Sequence, residues 1–452
     1  MKYTDVLIIG GSAAGAAAAS TAKSQNPDKK VSLVRKEKHV MVPCGIPYIF
    51  GSLDDSSKNI MPDMGLEKAG VDIVVDEVVS IDENEKNCQL KSGEVVFFDK
   101  LIIATGSKPR VPNWLEGKEL DNVYYIYKNK VYLDKFNKKL KDLNKIVVIG
   151  GGFIGVEMSD ELKKAGKDVT LVEMQKTILS LAFDEHVALE VEKIVKEEGI
   201  NLITGNGIKK IIGNDGKVSA VELQNGEILE ADAVILSTGY APNTELAESI
   251  NLRLNRKGFI KVDEYMRTEI ADIFAVGDCA EKIDFFTRKS SGAMLASIAT
   301  AEARVASMNL YKLSTLKTIS GTITIFATSM NGKGFGSAGL TESQAVAEGF
   351  NVVTGTFEGA DKHPGTLPGT SKQLIKLIVS RETGIILGGE VIGGMSAGEL
   401  TNIIGFIIQN RMTLNALLTA QIGTHPLLTG SPVKYSLIKA AEEVVRNMNS
   451  LR

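Results

Sequence analysis

The stretch Val147-Val148-Ile149-Gly150-Gly151-Gly152-Phe153-Ile154-Gly155-Val156-Glu157 sets the tightest limit on how this chain can fold. It reads as a buried strand running straight into G-x-G-x-x-G and then into a helix. Each glycine has its own task. Gly150 makes the tight turn, Gly152 lets a pyrophosphate approach the backbone, and Gly155 lets helix and strand pack closely. A diphosphate would rest on the free N–H groups at the helix start, from Phe153 and Ile154 toward Glu157. A second short strand, residues 168–173, ends in Glu173. That acid stands near the roughly 20-residue offset at which a carboxylate accepts hydrogen bonds from a ribose. The pattern implies an α/β unit that binds a dinucleotide.

Composition narrows the class. Across 452 residues the hydrophobic fraction is 44% and the charged fraction 24%, as expected of a globular protein of two to four domains. A net charge of −3 offers no basic excess for nucleic acid or an anionic membrane, so neither partner is expected. The lysines of residues 135–145 are interleaved with Leu and Phe and read as the wet face of a helix. Cys44, Cys88 and Cys279 lie far apart with no C-x-x-C, which argues against a disulfide framework or a cysteine–zinc cluster and fits a reducing cytoplasm. His39, His186, His363 and His425 show no ligand spacing, so no metal is expected. Residues 6–20 have the apolar, alanine-rich look of a signal peptide. Asp5 and the glycine pair inside the run favour a folded strand–turn–helix instead. No apolar run reaches the roughly 18 residues of a membrane span.

The chain opens with a related loop, Ile8-Ile9-Gly10-Gly11-Ser12-Ala13-Ala14-Gly15, in which Ser12 stands where the second glycine is expected. The strand after it, residues 31–34, ends in Arg35 rather than an acid, with Glu37 two residues on. Either Glu37 takes the ribose contact or that contact is lost. Two later segments echo each other, Ile102-Ile103-Ala104-Thr105-Gly106 and Ile235-Leu236-Ser237-Thr238-Gly239. Each follows its own glycine loop, so the chain holds an internal repeat of a nucleotide-binding unit. Each copy also carries short strands with turn signals, at residues 72–80 and at residues 218–223 with Asn225-Gly226. A third landmark is Ile273-Phe274-Ala275-Val276-Gly277-Asp278, leading into a small-residue helix across 292–310. Beyond Gly321 the pattern becomes strands at 322–327, 374–379 and 385–391, then helices at 398–410 and 431–447, an α+β domain.

Taken together, these residues resemble the flavin-dependent pyridine nucleotide–disulfide oxidoreductases. The Gly10 loop, Ala104-Thr105-Gly106, the Gly150 loop, Ser237-Thr238-Gly239 with Pro242-Asn243, and Thr268 through Gly277-Asp278 occur in the family's order over nearly the whole chain. The resemblance implies two Rossmann-like domains and a C-terminal domain that forms a homodimer. It places FAD on residues 1–113 and 244–320, NADH on residues 114–243, and the dimer contact on residues 321–452. FAD would be held by Gly10, Ser12, Ala13, Gly15, Glu37, Thr105, Gly106, Gly277 and Asp278. NADH would be held by Gly150, Gly152, Phe153, Ile154, Gly155, Glu157, Glu173 and Gly239. Glu173, followed by Met174-Gln175 rather than arginines, favours NADH over NADPH, with Lys176 as the contrary sign.

Dithiol members of the family carry C-x-x-x-x-C, and at that spacing Cys44 has only His39 and Ile49. Cys44, in Pro43-Cys44-Gly45-Ile46-Pro47-Tyr48, resembles the one-cysteine branch, which contains coenzyme A-disulfide, persulfide and polysulfide reductases and NADH oxidases. The flanking Pro and Gly place Cys44 where a helix is expected to begin, which would lower the thiol pKa. Cys88 and Cys279 read as buried small hydrophobes. Thr424-His425-Pro426 resembles the His-Pro segment that reaches across the family's dimer as acid/base, and His425 reads either so or as a surface histidine. Two departures weaken a coenzyme A assignment: Thr21-Ala22-Lys23-Ser24 replaces an arginine pair, and Leu367 replaces a tyrosine before Pro368-Gly369. Three functions stay open: a disulfide, persulfide or polysulfide reductase; an NADH oxidase or peroxidase using a Cys44 sulfenic acid; and an electron-transfer flavoprotein with a protein partner.

Overall fold

The computed structural model describes residues 2–313 and 319–450. Residue 1, residues 314–318 at the end of the proposed FAD stretch, and residues 451–452 lie outside the described residues. The first unit is built on the strand Lys2–Ile9, flanked in parallel by Val31–Arg35 on one side and Val95–Ile103 on the other. Asp72–Val75 extends the sheet beyond Val31–Arg35, and the hairpin Val78–Asp82 and Asn87–Leu90 continues it beyond Val95–Ile103. Residues 6–9 are therefore a central, fully buried strand. The chain returns late, and Ile273–Ala275 adds a parallel strand beside Val95–Ile103.

The second unit repeats this plan. Lys145–Ile149 is paired in parallel with Asp168–Val172 and Ala233–Leu236, with Asn201–Ile203 and Val123–Tyr125 at the edges. The repeat holds down to single hydrogen bonds. The Gly10 N–H donates to the Val34 carbonyl at 2.8 Å, and the Gly150 N–H donates to the Val172 carbonyl at 2.8 Å. Ala104 and Ser237 donate in the same way to Ile9 and Ile149. Parallel strands buried on both faces account for the near-continuous apolar runs. A three-stranded antiparallel sheet, Ile208–Asn214, Lys217–Leu223 and Ile228–Glu230, covers the second unit. A two-stranded ribbon, Ser107–Pro109 with Tyr240–Pro242, joins the two units.

In the first unit the helix Ala13–Gln25 packs on Ala296–Met308 through Ala18, Ala19 and Ala22 against Ala299, Ala303 and Ala306. The lysine-rich helix Lys130–Leu140 buries Leu133, Phe136 and Leu140. The C-terminal domain is a five-stranded antiparallel sheet in the order Ile325–Met330, Lys333–Gly339, Ile386–Gly393, Lys372–Ser380, Val352–Ala360. The helices Ala397–Gln409 and Ser436–Ser450 share one apolar cluster with it. Among the described residues no helix is long and apolar enough to cross a membrane.

Candidate active site

Both glycine loops have the geometry a diphosphate needs. Gly10 and Gly150 adopt φ of +112° and +108°, where an L side chain is strained. A Cβ on Gly15 would stand 1.8 Å from the Gly10 carbonyl oxygen, and one on Gly155 would stand 1.8 Å from that of Gly150. These glycines let each helix approach its strand. Gly152 differs: a Cβ there meets nothing within 4 Å, so its smallness leaves open space in front of the helix start. Ser12 and Gly152 are the N-caps of the helices Ala13–Gln25 and Phe153–Lys164, and neither helix start receives a side-chain cap. Their first N–H groups face outward for an anion.

The ends of the second strands differ, as their sequences do. Glu173 turns back onto its own loop, accepting from the Gly151 N–H at 2.6 Å and the Gln175 N–H at 2.7 Å. It retains lone pairs for a ribose hydroxyl. Lys176 is engaged by Glu185 at 2.6 Å. In the first unit Arg35 is buried, lies against Gly11, and grips Asp63 through both terminal nitrogens at 2.6 and 2.5 Å. The arginine thus fills the strand end structurally, and Glu37 stands half-exposed beyond it.

Thr105 and Gly106 are tied to the ribbon. The Thr105 hydroxyl donates to the Asn243 carbonyl at 2.6 Å, and the Asn243 N–H donates to that of Gly106 at 2.9 Å. Gly106 and Gly239 both have positive φ and open space where a Cβ would lie. Gly277 and Asp278 form a short turn after Ile273–Ala275. The Asp278 carboxylate accepts from the Ser107 hydroxyl at 2.7 Å and from the Lys128 ammonium at 3.0 Å. Burial alone would raise its pKa; Lys128 and Ser107 outweigh burial and hold it below the ordinary range.

Cys44 sits in a single 3₁₀ turn, Pro43–Gly45, followed by a second, Pro47–Phe50. No α-helix begins there, so the expected dipole is missing. Its thiol is pushed up rather than down, first by burial and then by the negative charges of Glu157 and Asp278, with Lys128 pulling the other way. Cys44 is the one exposed cysteine; Cys88 and Cys279 are free and buried. The Cys44 segment is docked on the helix Phe153–Lys164. Ile46, Ile49 and Phe50 join its apolar cluster, and Glu161 accepts from the Ser52 N–H at 2.5 Å and the Ser52 hydroxyl at 2.9 Å. Four residues earlier, burial pushes the Glu157 carboxyl up to about 7, while a 2.9 Å hydrogen bond from Thr328 works against it. Phe153 stacks on Phe326, with ring centroids 5.1 Å apart.

The two nucleotide units thus converge on Cys44. His425 does not join them within one chain. It is exposed on the C-terminal domain, its Nδ1 accepting from the Leu427 N–H at 3.3 Å. Sequence reasoning missed Lys128, Ser107 and Tyr240, which carry no motif and meet Asp278 only through the fold.

Residues 4–303 match the family model described as pyridine nucleotide-disulphide oxidoreductase, and residues 331–435 match that family's dimerisation domain. The chain belongs to this family. It is 31% identical to a protein of Methanocaldococcus jannaschii named NADH oxidase, over 98% of this chain and 99% of that one. It is equally 31% identical to a Pyrococcus abyssi protein named NAD(P)H sulfur oxidoreductase (CoA-dependent), over 92% and 93%. A solved NAD-dependent persulfide reductase from A. fulgidus superposes with a TM-score of 0.91 at 28% identity, covering 99% of this chain and 84% of that one. The chain is a flavin-dependent, NADH-linked oxidoreductase. The two glycine cradles, with Asp278 and Glu173 at their flanks, fit FAD and NADH.

Proposed function

We propose that the protein passes electrons from NADH through FAD and Cys44 to a disulfide, persulfide or polysulfide. The observation that carries this reading is Cys44, a lone exposed thiol between the two nucleotide units and under the charges of both. Residues 1–113 with 244–320 are assigned to FAD, 114–243 to NADH, and 321–452 to a homodimer contact. Asp278, Glu37, Thr105, Gly106 and the Gly10 loop serve the first cofactor; Glu173, Glu157, Gly239 and the Gly150 loop serve the second. Bound together, the cofactors supply a two-electron transfer.

Cys44 does the sulfur chemistry. Its thiolate attacks one sulfur of the substrate, forming a mixed disulfide or persulfide and expelling the other sulfur as a thiolate. Two electrons then break the new S–S bond, returning the Cys44 thiolate and releasing the second thiol. With one protein sulfur, that second thiol belongs to a small molecule. His425, supplied by a second copy of the chain, protonates the leaving thiolate from its imidazolium form and is left as neutral imidazole. The names of the Pyrococcus and A. fulgidus relatives support this reading.

Cys44→Ser should keep its flavin and lose turnover with every sulfur acceptor, measured as NADH oxidation without air against coenzyme A disulfide, polysulfide and glutathione disulfide. Undiminished turnover would refute it and select an electron-transfer flavoprotein. The Methanocaldococcus relative favours a second reading, an oxidase in which Cys44 passes through a sulfenic acid. Oxygen uptake matching the best disulfide rate, with stoichiometric water, selects that reading.

A further inference from the structure

The site is rich in negative charge. Glu157 and Asp278 both oppose a thiolate at Cys44, and the Cys44 thiolate itself must form for any sulfur chemistry. Lys282 is close to Asp278, but its charge is already committed. It is fully buried, 3.4 Å from Glu302, and donates to the Gly277 carbonyl at 2.6 Å and the Ala280 carbonyl at 3.0 Å. Tyr48, also beside Glu157, has its phenol pushed up by burial and adds no positive charge.

Lys128 is different. It follows the edge strand Val123–Tyr125 of the second unit, yet its ammonium reaches into the first, 3.0 Å from both the Asp278 carboxylate and the Ser107 hydroxyl. The Tyr240 ring lies under it, with the centroid 5.2 Å away. Tyr240 is fixed in turn by a 2.5 Å hydrogen bond to the Ile126 carbonyl. A flexible lysine is thus held by a carboxylate, a hydroxyl and an aromatic face, none of them on its own strand. Such fixation costs side-chain entropy that an ordinary surface lysine keeps.

We infer that Lys128 is a positioning residue for the reaction: it neutralises the Asp278 carboxylate across the junction of the two units and so cancels one of the two negative charges that oppose the Cys44 thiolate. This rests on the reading of Cys44 as the redox sulfur, but its test reads the thiol and not the turnover, so either can fail alone. The cation comes from the nicotinamide unit and its anchor from the flavin unit, so the charge is in place only when the units are correctly apposed.

The test uses the flavin-loaded enzyme and the variants Lys128→Met, Lys128→Gln and Lys128→Arg. Alkylation by neutral iodoacetamide reports Cys44, the other two cysteines being buried. In Lys128→Met and Lys128→Gln the pH midpoint of alkylation should rise by about one unit, making modification roughly tenfold slower below the midpoint. Lys128→Arg should restore most of the rate. The flavin midpoint potential, read independently, should become more negative in the Met and Gln variants and recover with Arg. An unchanged alkylation midpoint in either uncharged variant would overturn the inference. So would failure of Arg to rescue where Met and Gln have shifted. If Lys128→Met fails to hold flavin or to fold, Lys128→Gln, which keeps hydrogen bonding but lacks the charge, decides between the two outcomes.

Discussion

Gly152 and Gly155 stand three residues apart in one motif, yet they answer to different constraints. Gly155 has no room for a methyl group, because a Cβ would overlap the Gly150 carbonyl. Gly152 has ordinary φ and nothing near it. Gly155→Ala should therefore lower stability by about 2 kcal/mol or more, as overpacking does, read by chemical denaturation. Gly152→Ala should leave stability within about 1 kcal/mol and instead raise the Kd for NADH at least roughly tenfold, read by titration of the purified enzyme. Cys44 teaches the opposite lesson. Its Pro and Gly neighbours resemble a helix start in sequence, but successive prolines at 43 and 47 break the segment into two 3₁₀ turns. Local residue types could not reveal that the negative charges acting on it, Glu157 and Asp278, lie more than 100 residues away.

At the scale of elements, the turn carrying Asp278 is gripped from beneath. Glu302 accepts from the Gly277 N–H at 2.8 Å while Lys282 donates to the carbonyl of that same residue, and both side chains are buried. Buried pairs of this kind add little net stability, but removing one partner strands the other. Glu302→Ala should cost about 3–5 kcal/mol, read by denaturation. The double variant Lys282→Met/Glu302→Leu should recover most of that loss and still bind flavin more weakly, because the turn is no longer held. The elements of the nucleotide units were legible because apolar runs, glycine turns and terminal acids coincide there. In the C-terminal domain, the strands Lys333–Gly339 and Val352–Ala360 escaped sequence reading. Their glycines obscure the alternation, and the fold explains them: Gly336 seats Thr401, and Gly355 lies against Ala440 and Val444. Lys128 was invisible for a similar reason, its partner Asp278 being distant in sequence.

Across the whole molecule, a buried cluster fastens the second unit to the C-terminal sheet. Asp184, the residue just before the helix Glu185–Glu197, meets Lys376 at 3.0 Å and accepts from the N–H groups of Glu342 and Ser343. Lys376 also pairs with Glu342 at 2.6 Å. Glu390 is fully buried, with one oxygen on the Asp184 N–H and the other 3.7 Å from His186. Burial and Asp184 push the Glu390 carboxyl up to about 8, whereas Lys376 and the N–H donors overcome burial to hold Asp184 at about 2. Folding therefore favours protonated Glu390, and its contribution is complete below its ordinary value of 4.5 and is lost as pH rises toward about 8. Asp184 works in the other direction, its contribution being lost as pH falls from 3.8 toward about 2. Glu390→Gln should accordingly raise Tm most at pH 8.5 and little at pH 5, read by calorimetry. The same domain exposes Met395 at 92% and Phe406 at 65%. Phe406→Glu should shift the protein toward monomer in sedimentation and, on the role proposed for His425 between copies, depress turnover in step with dissociation.

The helix Phe153–Lys164 touches every part of this assembly: the nucleotide loop at its start, Thr328 and Phe326 of the C-terminal sheet through Glu157 and Phe153, and the Cys44 loop through Glu161 and Ser52. It works like the keel of a hull. A chimera that grafts a relative's C-terminal domain onto this chain must bring matching timbers at 326 and 328, or the sulfur-bearing loop at the opposite gunwale will shift as well.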